Sequence, residues 1–470
     1  MTIPQSSAEP PAPTPHLVYR GGLPGALFPF LVFVVGVVTL ALSGAPDERG
    51  FWPILLLGLV VGLLMCRDRK AFCETAIEGM AKPILIIMIL AWMLASVVGV
   101  LMRETGFIQA LIWIAGQFNL SAAAFVAATF LICCVVSTST GTSFGTILIC
   151  GPILYPAGAA LGADLPSLIG AVLGGATFGD NISPISDTTI ASSVSQQADI
   201  GGVVRSRIKY SVPAGLIALL FFYLNAAIQG GNPISGVTEL EGNPSGLPMI
   251  LVPVTIIYLL LRGRHLLEGL LLGLAIGVLL GVTAGLMPWD RLLALDRDNF
   301  TATSFIIDGI NRSLGICIFT VFLMGLVATT EASGILKRLV DFSARHTKSA
   351  RTAEVWISGV VIGTVMLTTH GVVAILTAAD FAKKTGERYG IHRYRRANLL
   401  DVTASTVPFI FPYFIPVILA TSTTATGDQL GIPPLNPLTV GMHNFYSWAL
   451  LGVLIFALAT GYGRRYASDR

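Results

Sequence analysis

Long apolar runs broken by short polar stretches recur along this chain: Ala26–Leu42, Phe51–Met65, Pro83–Met102, Ser211–Ile228, Met249–Leu261, Leu270–Leu286, Ser313–Ala328, Val355–Leu367 and Phe445–Ala459. A straight membrane crossing takes roughly 20 apolar residues, so the shorter runs need polar neighbours to complete them. The pattern predicts an all-α polytopic membrane protein with about 10 to 12 membrane segments. Four stretches depart from it. Val135–Thr146 (VVSTSTGTSFGT) and Gly174–Ser193 (GGATFGDNISPISDTTIASS) lie in the first half; Val365–Thr377 (VMLTTHGVVAILT) and Asn398–Pro416 (NLLDVTASTVPFIFPYFIP) lie in the second. Hydroxyls, glycines and prolines interrupt helices there, and irregular backbone at membrane depth is tolerated only inside protein or beside water. Isolated small residues such as Gly36, Gly58 and Ser96 are explained by helix packing alone. Matching pairs of interrupted segments are the mark of a transporter built from repeats, with its site between the breaks. The expected organisation is a disordered cytoplasmic N-terminus (1–20), a first repeat (21–229), an external loop (230–245) and a second repeat (246–470).

Composition supports this reading: 54% of the 470 residues are hydrophobic and 12% charged, about half the charged share of soluble domains. The net charge of +3 matters less than its placement. Basic clusters at Arg67–Lys70, Arg205–Lys209, Arg262–Arg264, Lys337–Arg351, Lys383–Arg396 and Arg464–Arg465 read as cytoplasmic loops by the positive-inside bias. Both termini then lie inside, and 44–50, 230–245 and 426–443 face outward. Such loops are poor evidence for nucleic acid. Cys133, Cys134, Cys150 and Cys317 fall within apolar runs and Cys66 and Cys73 beside an inner loop, as packed thiols without metal spacing or disulfides. Residues 1–16 are Pro-, Ser- and Ala-rich and lack the features of a signal peptide.

The candidate chemistry sits at 174–193. A carboxylate at bilayer depth costs about 2.5–3.5 kcal/mol on insertion scales, so Asp180 and Asp187 point to an ion or proton pathway. Sodium wants several hard oxygen ligands, and Asp180, Asn181, Ser183, Asp187, Thr188 and Thr189 supply them in one short stretch. Pro184 between the aspartates places them on two limbs of one unwound segment. Asp187 also suits the cap of a restarting helix. Asp401 is the second-half counterpart, although the basic stretch ending at Arg395–Arg396 allows a shallow ion pair instead. His370, at a break, could relay a proton or hydrogen-bond a carboxylate, or be satisfied by nearby hydroxyls. Gly141, Thr142, Ser143, His370 and Thr403 are expected along the pathway. Glu331 and Asp308 should reach interfacial water, Glu104 should pair with Arg103, and Phe409, Phe411, Tyr413 and Phe414 should be packing or lipid-facing surface. Pro408, Pro412 and Pro416 predict a strongly distorted segment.

The strings GTSFGTILICGP (141–152) and GATFGDNISPISDTT (175–189) resemble those of the NhaC-type sodium/proton antiporters. Gly179, Asp180, Ser183, Pro184, Ser186, Asp187, Thr188 and Thr189 match that family's Gly-Asp-x-x-Ser-Pro-x-Ser-Asp-Thr-Thr signature. The resemblance implies two inverted repeats, each with broken helices or re-entrant hairpins meeting at a central cation/proton site. In the second half the family usually carries Leu-Glu-Asp-x-Gly-Thr with a proline seven residues after the aspartate. Asp401 and Pro408 keep that spacing here, but Leu400 replaces the glutamate and Thr403 the glycine. The implied activity is sodium/proton antiport by a multi-pass protein of a bacterial inner membrane, with Asp180 and Asp187 as sodium ligands. Sodium is then the transported or coupling ion, there is no cofactor, and a homodimer is possible. Because desolvation favours a neutral carboxyl, sodium and proton would compete for one group. The alternative is sodium- or proton-coupled movement of a small organic acid or amino acid, a change the altered Leu400–Thr403 wall would suit. An intramembrane aspartyl protease fits worse, since Thr177-Phe178-Gly179-Asp180 lacks one glycine of the expected motif. No serine elbow, nucleotide loop or zinc motif supports another enzyme class, and paired breaks suit alternating access better than a passive pore.

Overall fold

A computed structural model describes residues 17–43, 48–118, 120–230, 242–262, 264–297 and 301–467. The expected disorder at 1–16 and the centre of the expected outer loop, 231–241, lie outside the described residues. The first half comprises α1 (Gly22–Leu42), α2 (Phe51–Met65), α3 (Arg69–Met80), α4 (Pro83–Glu104), α5 (Phe107–Gln117), α6 (Ala122–Thr140), α7 (Ser143–Ala160), α8 (Leu165–Ile182), α9 (Asp187–Ser195) and α10 (Ile200–Gln229). The second comprises α11 (Leu251–Leu261), α12 (Leu266–Thr283), α13 (Phe305–Glu331), α14 (Ile335–His346), α15 (Ala350–Thr368), α16 (Gly371–Arg388), α17 (Arg393–Ala404), α18 (Ile415–Thr424), α19 (Pro437–Met442) and α20 (Phe445–Thr460). A short antiparallel ribbon pairs Ala294–Asp296 with Thr301–Thr303.

Among the described residues, eight helices are long and apolar enough to cross a membrane: α1, α4, α6, α7, α10, α12, α13 and α15. Shorter apolar helices, including α2 and α20, complete the bundle. Polarity is inverted relative to a soluble protein. Leu216, Leu220, Phe221 and Ile228 of α10 are exposed, whereas Arg207 and Ser211 on its opposite stripe are buried. Such a surface is stable only against hydrocarbon, and the chain is a multi-pass membrane protein.

The same local signals recur in both halves. Gly106 and Gly334, each with φ 76°, open α5 and α14. The hydroxyls of Ser121 and Ser349 cap α6 and α15, which have 19 residues each. Gly141 and Thr369 end those helices in the left-handed region, and α7 and α16 follow with 18 residues each. Every second-half residue in this series follows its counterpart by the same number of positions. Helices α6–α7 and α15–α16 are therefore matching hairpins.

Contacts along α10 fix how the hairpins sit. Near its end, Asn225 donates to Asp164 (3.3 Å) and Ser167 (2.7 Å), where α8 begins beside the base of the first hairpin. At its start, Asp199 accepts from the Tyr394 hydroxyl where α17 begins, beside the base of the second. The Tyr394 hydroxyl and the Gly202 amide hold the Asp199 carboxyl below its usual range. These two points are about 40 Å apart at 1.5 Å per residue. The hairpins enter from opposite ends, and their tips meet between.

Three expectations about charges need correction. Arg205–Lys209 is not a loop but the start of α10, since Asp199 caps that helix through Gly202 and no breaker follows until the run beyond 211. Arg395 and Arg396 likewise lie within α17, and Arg395 is buried against Glu354 at 2.9 Å. Glu104 pairs mainly with Arg291 (2.5 Å), which also holds Asp308 (2.8 Å), while Arg103 stands 3.9 Å away. Glu331 reaches the edge as expected and meets Lys82 at 3.5 Å.

Candidate functional site

Four helix interruptions converge. At the first hairpin tip, Gly141 adopts φ 67° and its amide donates to Ser137 O (2.8 Å). The Thr142 hydroxyl then accepts from Gly145 N–H (3.3 Å) to start α7. Glycine is required twice over, for its conformation and because a Cβ would lie 2.7 Å from Ile185 in the next break. That second break, Ser183–Ser186, contains Pro184 and separates α8 from α9. At the other hairpin tip Thr369 takes φ 56°, which for an L-residue costs about 1–2 kcal/mol. The fourth break runs from Ser405 to Phe414 with a single 3-10 turn at Val407–Phe409, as the three prolines predicted. Tyr413 and Phe414 are buried in packing and Phe411 is exposed, whereas Phe409, expected to be packing or lipid-facing surface, lines the cavity between the breaks.

Between these breaks lies a cavity of about 280 Å³. From the first half it is lined by Gly141, Thr142, Ser143, Phe144, Asp180, Ile185, Asp187 and Thr188; Thr369, His370, Gly371, Ser405 and Pro408 are among those from the second. Helices α6, α8, α15 and α17 end there, bringing their negative ends to the cavity, while α7, α9, α16 and α18 begin there with their positive ends. Asp187 heads α9, and its Oδ1 accepts from Thr188 N–H at 2.7 Å. The cap position itself falls to Ser186, so Asp187 is the first residue of the helix rather than its cap, and it lines the cavity. Asp180 lies in the last turn of α8, is 7% exposed, and has an Oδ1 without a hydrogen-bond partner. The negative end of a helix does not stabilise an anion, so Asp180 is the carboxylate that a cation or proton would complement. The Ser143 and Ser186 hydroxyls lie alongside it. His370 is within electrostatic reach of Asp187, and its Nδ1 is buried without a hydrogen-bond partner.

Of the expected site residues, the cavity thus gathers Asp180, Asp187, Thr188, Gly141, Thr142, Ser143 and His370. Four others stand behind its wall. Asn181 is buried, its side-chain oxygen accepting from the Ser211 hydroxyl and from Tyr446 (3.4 Å). Ser183 is buried and shapes the break by accepting from Ile185 N–H (3.4 Å). Thr403 is buried with its hydroxyl unpartnered. Asp401 is fully buried, and the partner it finds is Arg207, not Arg395 or Arg396.

Sequence reasoning missed Arg207 because it counted the residue in a cytoplasmic loop. A signal was present: Val203, Arg207, Ser211, Ala214, Ala218 and Phe222 recur at helical spacing, and all are buried. An arginine on a stripe of small residues faces the interior.

Gly179 lets α8 lie directly on α6, since a Cβ there would sit 2.4 Å from Thr138 N and 2.5 Å from Ser137 Cβ. Backbone cannot yield as a side chain can. Gly179→Ala is expected to destabilise by about 1–3 kcal/mol, read as a lower unfolding temperature in detergent. An unchanged temperature would mean that the two helices are not in this close contact.

Residues 25–230 match the Na+/H+ antiporter family. The chain is 29% identical over 210 residues to the malate-2H(+)/Na(+)-lactate antiporter of Bacillus subtilis, covering 43% of this chain and 44% of that protein. It is 32% identical over 170 residues to the Na(+)/H(+) antiporter NhaC of Alkalihalophilus pseudofirmus, covering 36% of each. The arginine/ornithine antiporter ArcD of Halobacterium salinarum is 31% identical over 147 residues, 30% of each chain. These matches span less than half the length of the relatives concerned. The resemblance carried by the signature segment is borne out: residues 25–230, which contain it, match the Na+/H+ antiporter family.

Proposed function

We propose that this protein is a secondary active antiporter that exchanges sodium for protons across a bacterial cytoplasmic membrane, with its basic helix ends and both termini inside. One observation carries the reading. The cavity between the four breaks has two carboxylates and several hydroxyl-bearing residues on its wall, and no Lys or Arg among its described lining residues. Hard oxygen ligands of net negative charge suit a small cation. A site that holds either sodium or protons, and opens to one side at a time, exchanges one for the other. The opposed hairpins support inverted repeats whose relative tilt would open the cavity alternately to each face.

A second reading keeps the site and adds an organic cargo. At about 280 Å³ the cavity has room for about nine waters, more than a bare sodium ion needs. The relatives named for malate, lactate, arginine and ornithine make a small carboxylic or amino acid the class to try. Proteoliposomes with a pH-sensitive dye inside distinguish the readings. An imposed sodium gradient alone is expected to move protons. If protons move only when a dicarboxylate, lactate or basic amino acid is added, the organic cargo is obligatory and simple exchange is excluded.

A further inference from the structure

Arg207 is the charged group that the site does not explain. It sits on α10 with no solvent exposure, and it reaches both halves of the molecule. Its Nη1 donates to the carbonyl of Asn181 (2.6 Å), in the last turn of α8, and to the Thr189 hydroxyl (2.8 Å), in the first turn of α9. Its Nε donates to Asn398 Oδ1 (3.1 Å) on α17, and its Nη2 lies 2.5 Å from Asp401 Oδ2 on the same helix. One guanidinium therefore holds the two limbs of the first broken helix and the inner limb of the second.

Asp401 meets this group through its Oδ2. Its Oδ2 also accepts from Ser192 (3.2 Å), and its Oδ1 accepts from Ser405 (3.0 Å), whose residue lines the cavity. Asp401 does not line the cavity, and its oxygens are engaged. An uncompensated guanidinium one residue behind Asp180 would work against any cation there. An isolated buried arginine would also be costly in itself.

We infer that Asp401 is not a ligand of the cargo but the counter-ion of Arg207. The pair is a positioning strut that joins the two halves behind the cavity and keeps the arginine's charge from opposing the cation. This inference rests on the exchange reading for its transport consequence, and on the geometry alone for its structural one.

The test uses three variants of the full chain: Asp401→Asn, Arg207→Gln and the two combined. Asp401→Asn keeps the size of the side chain but leaves the guanidinium unbalanced. It is expected to raise the half-saturating sodium concentration about tenfold or more and to lower the unfolding temperature in detergent. Arg207→Gln is expected to lower that temperature too, but without a comparable loss of sodium affinity, because it leaves a negative charge. The double variant has no charge to balance and is expected to recover half-saturation to within about threefold of the parent, together with much of the lost unfolding temperature. If the double variant binds sodium as poorly as Asp401→Asn, Asp401 is a ligand and the inference is overturned. If the parent protein shows no sodium-driven flux, the exchange reading fails, and the strut is decided by unfolding alone. Recovery in the double variant then supports it, and additive losses overturn it.

Discussion

Asp180→Asn is expected to abolish sodium-driven proton movement, with flux at least about a hundredfold below that of the parent, while the protein still folds. Asparagine has nearly the same shape, so the packing of α8 on α6 should survive. What disappears is the ability to carry either a proton or the charge that balances sodium. Asp180 is the choice because it is buried on the cavity wall, stands at a helix C-terminus and keeps an unpartnered oxygen. Asp187 has a backbone amide and a helix N-terminus to offset its charge, so Asp187→Asn should weaken sodium binding while retaining measurable exchange. Equal loss in both variants would show that the carboxylates act as one unit.

The second large effect concerns stability. Glu354 on α15 is fully buried and accepts two bonds from Arg395 (2.9 and 3.0 Å) and one from Arg464 (2.8 Å). Arg395 also donates to the Tyr210 hydroxyl (2.6 Å) and to Tyr462 O (3.1 Å). A single carboxylate thus ties the second hairpin to α17, α10 and the segment after α20. Glu354→Gln leaves a buried guanidinium without its anion, which typically costs about 3–5 kcal/mol. The Lys82–Glu331 pair provides the contrast, with side chains 37% and 24% exposed. There Glu331→Gln should cost no more than about 1 kcal/mol. Thermal unfolding of both purified variants checks the difference, and equal shifts would count against the network.

Much of the fold is legible because membrane helices announce themselves. A run such as Pro83–Met102 can be little else, and breaks at Gly141, Pro184, His370 and Pro408 stand out against leucine and valine. The signature at 175–189 pointed to Asp180, Asp187 and Thr188 on the first-half wall and the hydroxyl run to Thr142 and Ser143, although Asn181 and Ser183 stand behind that wall. The second-half wall was harder to read, since its contributions from Thr369, Gly371 and Ser405 are ordinary residues made special by backbone geometry. Charge pairing was the least legible layer. Arg207, Arg395 and Arg291 each find partners far away in sequence, and composition alone sorts arginines into loops. Their helical phase carries the missing information, but only once helix boundaries are known. The continuity of α10 from its Asp199 cap made Arg207 an interior residue.

The most direct test of the account is proton release on sodium binding. Purified protein in detergent and weak buffer, followed with a pH-sensitive dye, would be titrated with sodium chloride against choline chloride. Competition at Asp180 predicts that sodium, and not choline, releases protons from the parent protein, and that Asp180→Asn releases none. Sodium binding without proton release from the parent, or undiminished release from Asp180→Asn, would contradict it.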